Sequence, residues 1–288
     1  MSNNTLLLHG RFERRHALPQ LPVGRTRLLR SPLGYPGSKA KVVKPLVNAM
    51  PTDWMEFREP FAGGLSLSLY LMQRYPGRRF WVNDLDPFLS CFWVALSSEP
   101  DRLAKTLTHY LLEFPSEQDR VLLSDWARRL IHETSGVERA ALYYIMSKTS
   151  FSGLAFAGTS VKPRNFNARG IQYLTTVGGL LKGVDLKVTD FDYADCLTDD
   201  PNVFTYFDPP YLIDRYLYGQ NGNMHRGFDH RRFANAVNPL KSRWMLSYND
   251  DLLIRNFFKT HPIATIEVPY TLSAKRTATE LLITNYEN

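Results

Sequence analysis

Apolar and polar residues alternate in short blocks along most of the chain. "WMEFREPFAGG" is a β-branched and aromatic run that stops at two glycines, as a strand feeding a tight turn does. "LSLSLYLMQRYPG" follows with helical spacing and stops at Pro76-Gly77. "RRFWVNDLD" predicts a second strand with an acidic end, and "PFLSCFWVALSS" a second helix with Pro87 in its first turn. Five more strands are predicted in "VDLKVTDF", "NVFTYFDPPY", "SRWMLSYND", "IATIEVPY" and "TELLITNY". Strand, glycine turn, helix, strand, acid is the βαβ order of a nucleotide-binding sheet.

Residues 98–173 interrupt that rhythm. Residues 101–148 are mostly helical in pattern, with amphipathic stretches such as "LAKTLTHYLLEF" and "ERAALYYIMSK". "TSFSGLAFAGTSVKPRNFNARG" then has no period and is rich in Gly, Ser, Asn, Arg and aromatics. The pattern predicts one seven-stranded α/β sheet interrupted by a mainly helical insert. Ahead of it, Pro19, Pro22 and Gly24 break residues 1–30 into an irregular arm. Lys39 to Met50 has helical spacing, with Pro45 leaving its first turns uncertain.

Charge adds a partner to this picture. The 288 residues carry a net +7, but residues 1–44 hold nine Lys and Arg against Glu13 alone, so the remainder is near neutral. A second basic stretch, Arg120 to Gly170, holds eight Lys and Arg against Asp125, Glu133 and Glu138. Two basic clusters on a near-neutral body suit a polyanion, although a solvated surface has the same composition. No apolar run approaches the roughly 18 residues of a membrane helix, and the N-terminus does not read as a secretory signal. Cys91 and Cys196 lack metal-ligand spacing and read as buried thiols of a reducing cytoplasm.

Chemistry concentrates at the predicted strand ends. In "EPFAGG" (59–64), Gly63 and Gly64 permit close backbone approach at a helix N-terminus, as either a ligand site or a plain turn. Asp84 is placed to accept from ribose hydroxyls, unless it or Asp86 caps the following helix. Asp190 and Phe191 end a third strand, where a carboxylate can accept from an adenine amino group and a ring can cover the base. The strongest signal is Asp208-Pro209-Pro210-Tyr211 after the buried run 203–207. The amino group of a nucleobase is a poor nucleophile because its lone pair is delocalised. Two acceptors aimed at its hydrogens, the Asp208 carboxylate and the Pro209 carbonyl held by proline's fixed dihedral, would localise that pair. Tyr211 can stack on the base, an interaction worth roughly 1–3 kcal/mol.

"DPPY" together with "EPFAGG" resembles the Dam-like, alpha-group family of S-adenosyl-L-methionine (AdoMet) dependent DNA adenine-N6 methyltransferases. "YPGSKAK" (35–41), "FWVNDLD", "VTDFDYAD", "LSYND" (246–250) and "ELLITNY" (280–286) are similar to further motifs of that family, in its order. Ser38 stands where Dam-like enzymes often have a second glycine before the lysine. The resemblance covers roughly residues 33–288 and implies a Rossmann-like methyltransferase sheet. It implies a basic N-terminal extension (1–32), an AdoMet-binding catalytic domain (33–97 and 174–288) and a target-recognition insert (98–173). It further implies methyl transfer to a flipped adenine in duplex DNA, with Asp208, Pro209, Pro210 and Tyr211 catalytic. The cofactor would be held by Tyr35, Lys39, Glu59, Pro60, Phe61, Ala62, Gly63, Gly64, Asp84, Asp190, Phe191 and Asp208.

For DNA the expected contacts are Lys148, Arg164, Asn165, Asn167, Arg169 and Phe228: the Arg and Asn side chains for base or phosphate readout, since Arg suits guanine and Asn adenine in the major groove, and Phe228 as a second ring stacking on the flipped base. Residues 212–233, with Gly219, Gly222 and Gly227, read as a loop that orders over the base or as a plain surface loop. His225 and His230 read as phosphate contacts or solvent-facing. No metal and no membrane are expected, and a monomer is favoured. The setting would be a bacterial or phage-encoded cytoplasmic protein at the nucleoid, with room for a restriction endonuclease partner. RNA adenine methylation and a non-catalytic DNA-binding relative are the alternatives.

Overall fold

The computed structural model describes residues 8–9, 28–150, 153, 155–156, 162–212, 227–269 and 277–287. One mixed sheet forms the centre. Its strands in chain order are β1 (Leu8–His9), β2 (Glu56–Glu59), β3 (Arg79–Asn83), β4 (Asp185–Thr189), β5 (Val203–Phe207), β6 (Arg243–Asn249), β7 (Ile263–Pro269) and β8 (Thr277–Thr284). Across the sheet they run β1-β7-β8-β6-β5-β2-β3-β4. The pairs from β4 through β6 are parallel, and β8 is antiparallel to both β6 and β7. All seven predicted strands are present. The two-residue β1 adds an eighth at the edge, pairing Leu8 with Ile266 inside the arm predicted to be irregular.

The order reverses at β2. From β2 the chain steps through β3 to β4 on one side, and β5 then returns to the other side of β2. Open α/β sheets bind ligands at such a switch point, beyond the carboxyl ends of the strands. Glu59 ends β2 and Asp208 follows β5, so this reversal brings together two acids 149 positions apart in the sequence. All five residues of β5 are buried, as a central parallel strand requires.

The helices in chain order are α1 (Val43–Ala49), α2 (Ser66–Arg74), α3 (Pro87–Ser98), α4 (Pro100–Glu113), α5 (Glu117–Leu130), α6 (Gly136–Thr149), α7 (Ala168–Lys182), α8 (His230–Val237) and α9 (Leu252–Phe257). A 3-10 turn at Lys39–Lys41 precedes α1, and Pro45 lies in the first helical turn, where its missing N–H is no loss. Alternate residues of the central strands feed two clusters. Phe204 and Tyr206 join the α1–α7 side, whereas Phe207, Leu246 and Leu281 join α8 and α9.

The interruption is helical as expected, but it shares its core with the α2 and α3 layer. Phe92 on α3 stacks on Tyr144 of α6 at 5.9 Å and 8°. The expected boundary at residue 173 falls inside α7, a helix whose Gly178-Gly179 pair masked its periodicity. Gly178 is there because α7 runs close to α3 and α4. A Cβ at this position would lie 2.3 Å from Pro100 Cβ and 2.9 Å from the Leu96 carbonyl oxygen. Gly178→Ala should therefore destabilise the fold by about 1–3 kcal/mol despite alanine's better helix propensity. Chemical denaturation would read the change directly, and unchanged or increased stability would show that the helices separate freely.

Candidate active site

The carboxyl ends of β2 to β5 open into a cavity of about 430 Å³, within the range of small-molecule sites. Of the twelve expected cofactor residues, Tyr35, Lys39, Glu59, Pro60, Phe61, Ala62, Gly63, Gly64, Asp84, Phe191 and Asp208 line it. Asp190 does not. It is exposed outside the cavity, and Asp192, two residues on, stands in the lining instead. After β4 the turn places Asp192 at the exposed rim of the cavity, where both of its oxygens accept from Arg232 at 2.9 and 3.0 Å.

The glycine turn is held from three directions. The Gly63 N–H donates to Asp84 Oδ2 at 2.8 Å, and the Gly63 carbonyl accepts from Trp93 Nε1 at 3.0 Å. Gly63 has φ +47°, and a Cβ there would meet the Tyr35 ring at 2.7 Å. Capping of α3 falls to Asp86, which accepts from the Phe88 and Leu89 amides. Asp84 Oδ1 accepts from the Asp86 amide at 3.0 Å, so Asp84 braces this loop as well as the glycine turn while it lines the cavity. Asn83, which the sequence did not single out, fastens the neighbouring loops. Its side-chain N–H groups donate to the carbonyls of Pro60 and Phe191, both at 3.0 Å. Its side-chain oxygen accepts from Thr189 Oγ1 at 2.7 Å and the Phe191 amide at 2.8 Å.

Burial sets the protonation of the cavity floor. Glu59, at the end of β2, is 4% exposed and accepts from the Ser68 hydroxyl. Burial pushes its carboxyl up to about 8, against the pull of that hydrogen bond, and the Asp208 charge adds to the rise. Burial, with Asp86 nearby, likewise pushes Asp84 up to about 7.

At the tip of β5, Asp208 Oδ2 is 2.7 Å from the buried ammonium of Lys39. Its Oδ1 accepts from Ser247 Oγ at 2.8 Å. Ser247 has a single proton, which goes to the carboxylate, so the Tyr206 hydroxyl 2.7 Å away donates to Ser247. Three successive residues of β6 support the segment after β5: Ser247 holds Asp208, Tyr248 stacks on Tyr211 at 5.7 Å and 25°, and Asn249 bonds both backbone groups of Leu212 at 2.9 Å. The sequence marked "LSYND" only as a strand. Its supporting role follows from the parallel register that sets Phe207 beside Leu246. Pro210 lines the cavity, and the Lys39 ammonium sits 4.9 Å from the centre of the Tyr211 ring.

The expected DNA contacts divide. Phe228 belongs to the cavity wall, packed on Phe61 at 5.6 Å and Tyr193 at 5.9 Å. Lys148 is largely buried and donates to the Pro32 carbonyl at 3.0 Å, and burial lowers its pKa. Asn167 caps α7 by accepting from the Gly170 amide at 2.9 Å. These three have structural partners. Arg164, Asn165 and Arg169 are exposed, with Arg164 paired to Glu117 at 2.6 Å. His230 bonds the Tyr248 hydroxyl. His225 and most of the expected loop over the base, residues 213–226, lie outside the described residues. Cys91 and Cys196 are free thiols, with Cys196 buried. Among the described residues no helix is long and apolar enough to cross a membrane, and no three His, Cys, Asp or Glu side chains group as a metal ion would need.

Residues 35–272 match the model of the D12 class N6 adenine-specific DNA methyltransferases. The chain belongs to this family. It is a DNA adenine methyltransferase, and the family implies an AdoMet-type methyl donor. Two relatives agree. The type II methyltransferase M1.LlaDCHI of Lactococcus lactis subsp. cremoris is 26% identical over 275 residues, covering 88% of this chain and 94% of its own. The type II methyltransferase M.MjaIII of Methanocaldococcus jannaschii is 27% identical over 200 residues, covering 62% and 68%.

Proposed function

We propose that the enzyme binds AdoMet in the cavity at the β2–β5 switch point and methylates the exocyclic amino group of an adenine flipped out of duplex DNA. The observation that carries this reading is the placement of Asp208 in the wall of the same cavity that Glu59 and Asp84 floor. The cavity's chemistry fits the cofactor. Asp84 offers acceptors for a ribose diol, Phe191 and Tyr193 offer rings for an adenine, and Glu59 offers a carboxyl that ionises toward a cation. Bound AdoMet supplies a methyl group activated by its sulfonium. The chain's own residues do the rest. Asp208 and the Pro209 carbonyl accept from the amino group and aim its lone pair, and Tyr211, backed by Tyr248, covers the base. Flipping costs a few kcal/mol, offset by that stacking and by the pocket's hydrogen bonds.

Residues 98–173 serve as the DNA-facing unit, with Arg164, Asn165 and Arg169 as contacts. The Arg164–Glu117 pair is exposed, and such pairs contribute little, so a phosphate can replace Glu117. Arg164→Ala and Arg169→Ala should each weaken duplex binding and reduce the slope of log K against log salt by about one. Titrations across salt concentration measure this, and an unchanged slope in both variants removes the pair from the interface. The protein acts as a cytoplasmic monomer. Kinship to type II methyltransferases makes a restriction endonuclease of the same specificity the expected cellular counterpart.

The test of the reading is methyl transfer from labelled AdoMet to unmethylated duplex DNA, followed by nucleoside analysis. Label on N6-methyl-2′-deoxyadenosine is expected, and sequencing the product gives the target site. Bound AdoMet with label on no adenine would overturn it.

A further inference from the structure

Glu280, on β8, has no task in the mechanism above. It faces Asn249 of β6 and Ile266 of β7, at the end of the sheet that bears Asp208. It is 9% exposed, and its Oε2 makes no close hydrogen bond among the described residues, although the Tyr211 hydroxyl and the Lys39 ammonium both lie near enough to stabilise its charge. Among the described residues its cationic partner is Lys39, whose Nζ lies 3.9 Å from Glu280 Oε2 and 2.7 Å from Asp208 Oδ2. One buried ammonium therefore stands between two carboxylates, bonded to the first and within about 1 Å of bonding the second.

The placement matters because both oxygens of Asp208 are engaged, one by Ser247 and one by Lys39. An ammonium this close draws on the electron density that an incoming amino group needs. We propose that Glu280 is a positioning residue that takes the Lys39 ammonium when adenine enters, so that Asp208 Oδ2 turns from partner of Lys39 to acceptor for the amino group. Glu280 touches neither substrate and acts through Lys39. The shift is small enough for rotation about the terminal bonds of the lysine side chain. This inference rests on the role given to Asp208 above.

The experiment compares wild type, Glu280→Gln and Glu280→Asp, the first two also in a Lys39→Met background. It measures AdoMet affinity, duplex affinity and the single-turnover rate with both substrates saturating. Wild-type methylation of adenine is established first, so that failure of the assigned function is distinguishable from failure of the inference. Glu280→Gln should leave both affinities within about twofold of wild type and slow the single-turnover step at least about tenfold, since a neutral amide draws the ammonium weakly. Glu280→Asp keeps the charge one methylene further back and should give an intermediate rate. It also keeps the test open should the glutamine variant fail to fold. In the Lys39→Met background, Glu280→Gln should have no further effect, because there is no ammonium to move. Three results would overturn the inference: wild-type rates in both Glu280 variants, the same fold loss with and without Lys39, or a loss of AdoMet affinity that accounts for the slower reaction.

Discussion

Asp208→Ala should lower methyl transfer by about a thousandfold or more while duplex DNA still binds. Preorganised polar groups aimed at a reacting centre typically contribute about 10²–10³ in rate each, and Asp208 also anchors Lys39 and Ser247. Among the described residues the alanine variant leaves the buried Lys39 ammonium only the more distant Glu280 as an ion-pair partner, and breaking a buried pair costs about 3–5 kcal/mol. Its melting temperature should fall as well. Asp208→Asn separates the two effects. It keeps the shape and one oxygen that can accept from Ser247 or Lys39, but not the charge paired with Lys39, so stability should return only in part while the rate stays low. Rates from nucleoside analysis, set beside melting curves, make the comparison. A rate within tenfold of wild type in both variants would remove Asp208 from the chemistry.

Affinity for AdoMet should rise with pH and level off above about 8. In the free protein, burial keeps Glu59 protonated up to about pH 8. A ligand carrying an ammonium and a sulfonium favours the ionised carboxylate, so binding releases a proton. The association constant then climbs by up to about tenfold per pH unit below the free pKa and flattens above it. Asp84, pushed up to about 7, works in the same direction if ribose hydroxyls donate to its charged form. The free protein should show the opposite trend. Below pH 4.5 Glu59 is protonated whether the chain is folded or not. Between 4.5 and about 8 the folded protein keeps a proton that the unfolded chain has lost, so stability falls as pH rises through that window. Glu59→Gln should flatten both curves. Calorimetry in buffers of different ionisation heat counts the released proton, and a pH-independent affinity would place the cofactor's charge away from Glu59.

Strands were legible because each ended in residues that a sheet cannot continue: the glycines after Glu59, the acids after Asn83, the prolines after Phe207. Glu59, Asp84 and Asp208 stood out because each lies beside such a stop, whereas Lys39 was reached only through the resemblance of its motif. α7 was not legible, since its paired glycines answer to the closeness of Pro100 and Leu96, a constraint held by residues far away in sequence. Asp192 was missed for a related reason. Period-two alternation fixes where β4 ends but not how the turn beyond it rotates. The partners of Lys148, Asn167 and Phe228 were not legible, because a side chain's partner depends on what folds against it: here the Pro32 carbonyl, the start of α7 and the Phe61 ring.

Asn83 uses the full hydrogen-bonding capacity of its amide hydrogens on the loops after β2 and β4. Those loops carry Phe61 and Phe191, two walls of the cavity. They are therefore locked together by folding itself, before any cofactor arrives. Ordering that would otherwise count against binding is completed in the free protein, and more of the contact energy appears as affinity. This half of the pocket is built as a rigid mould.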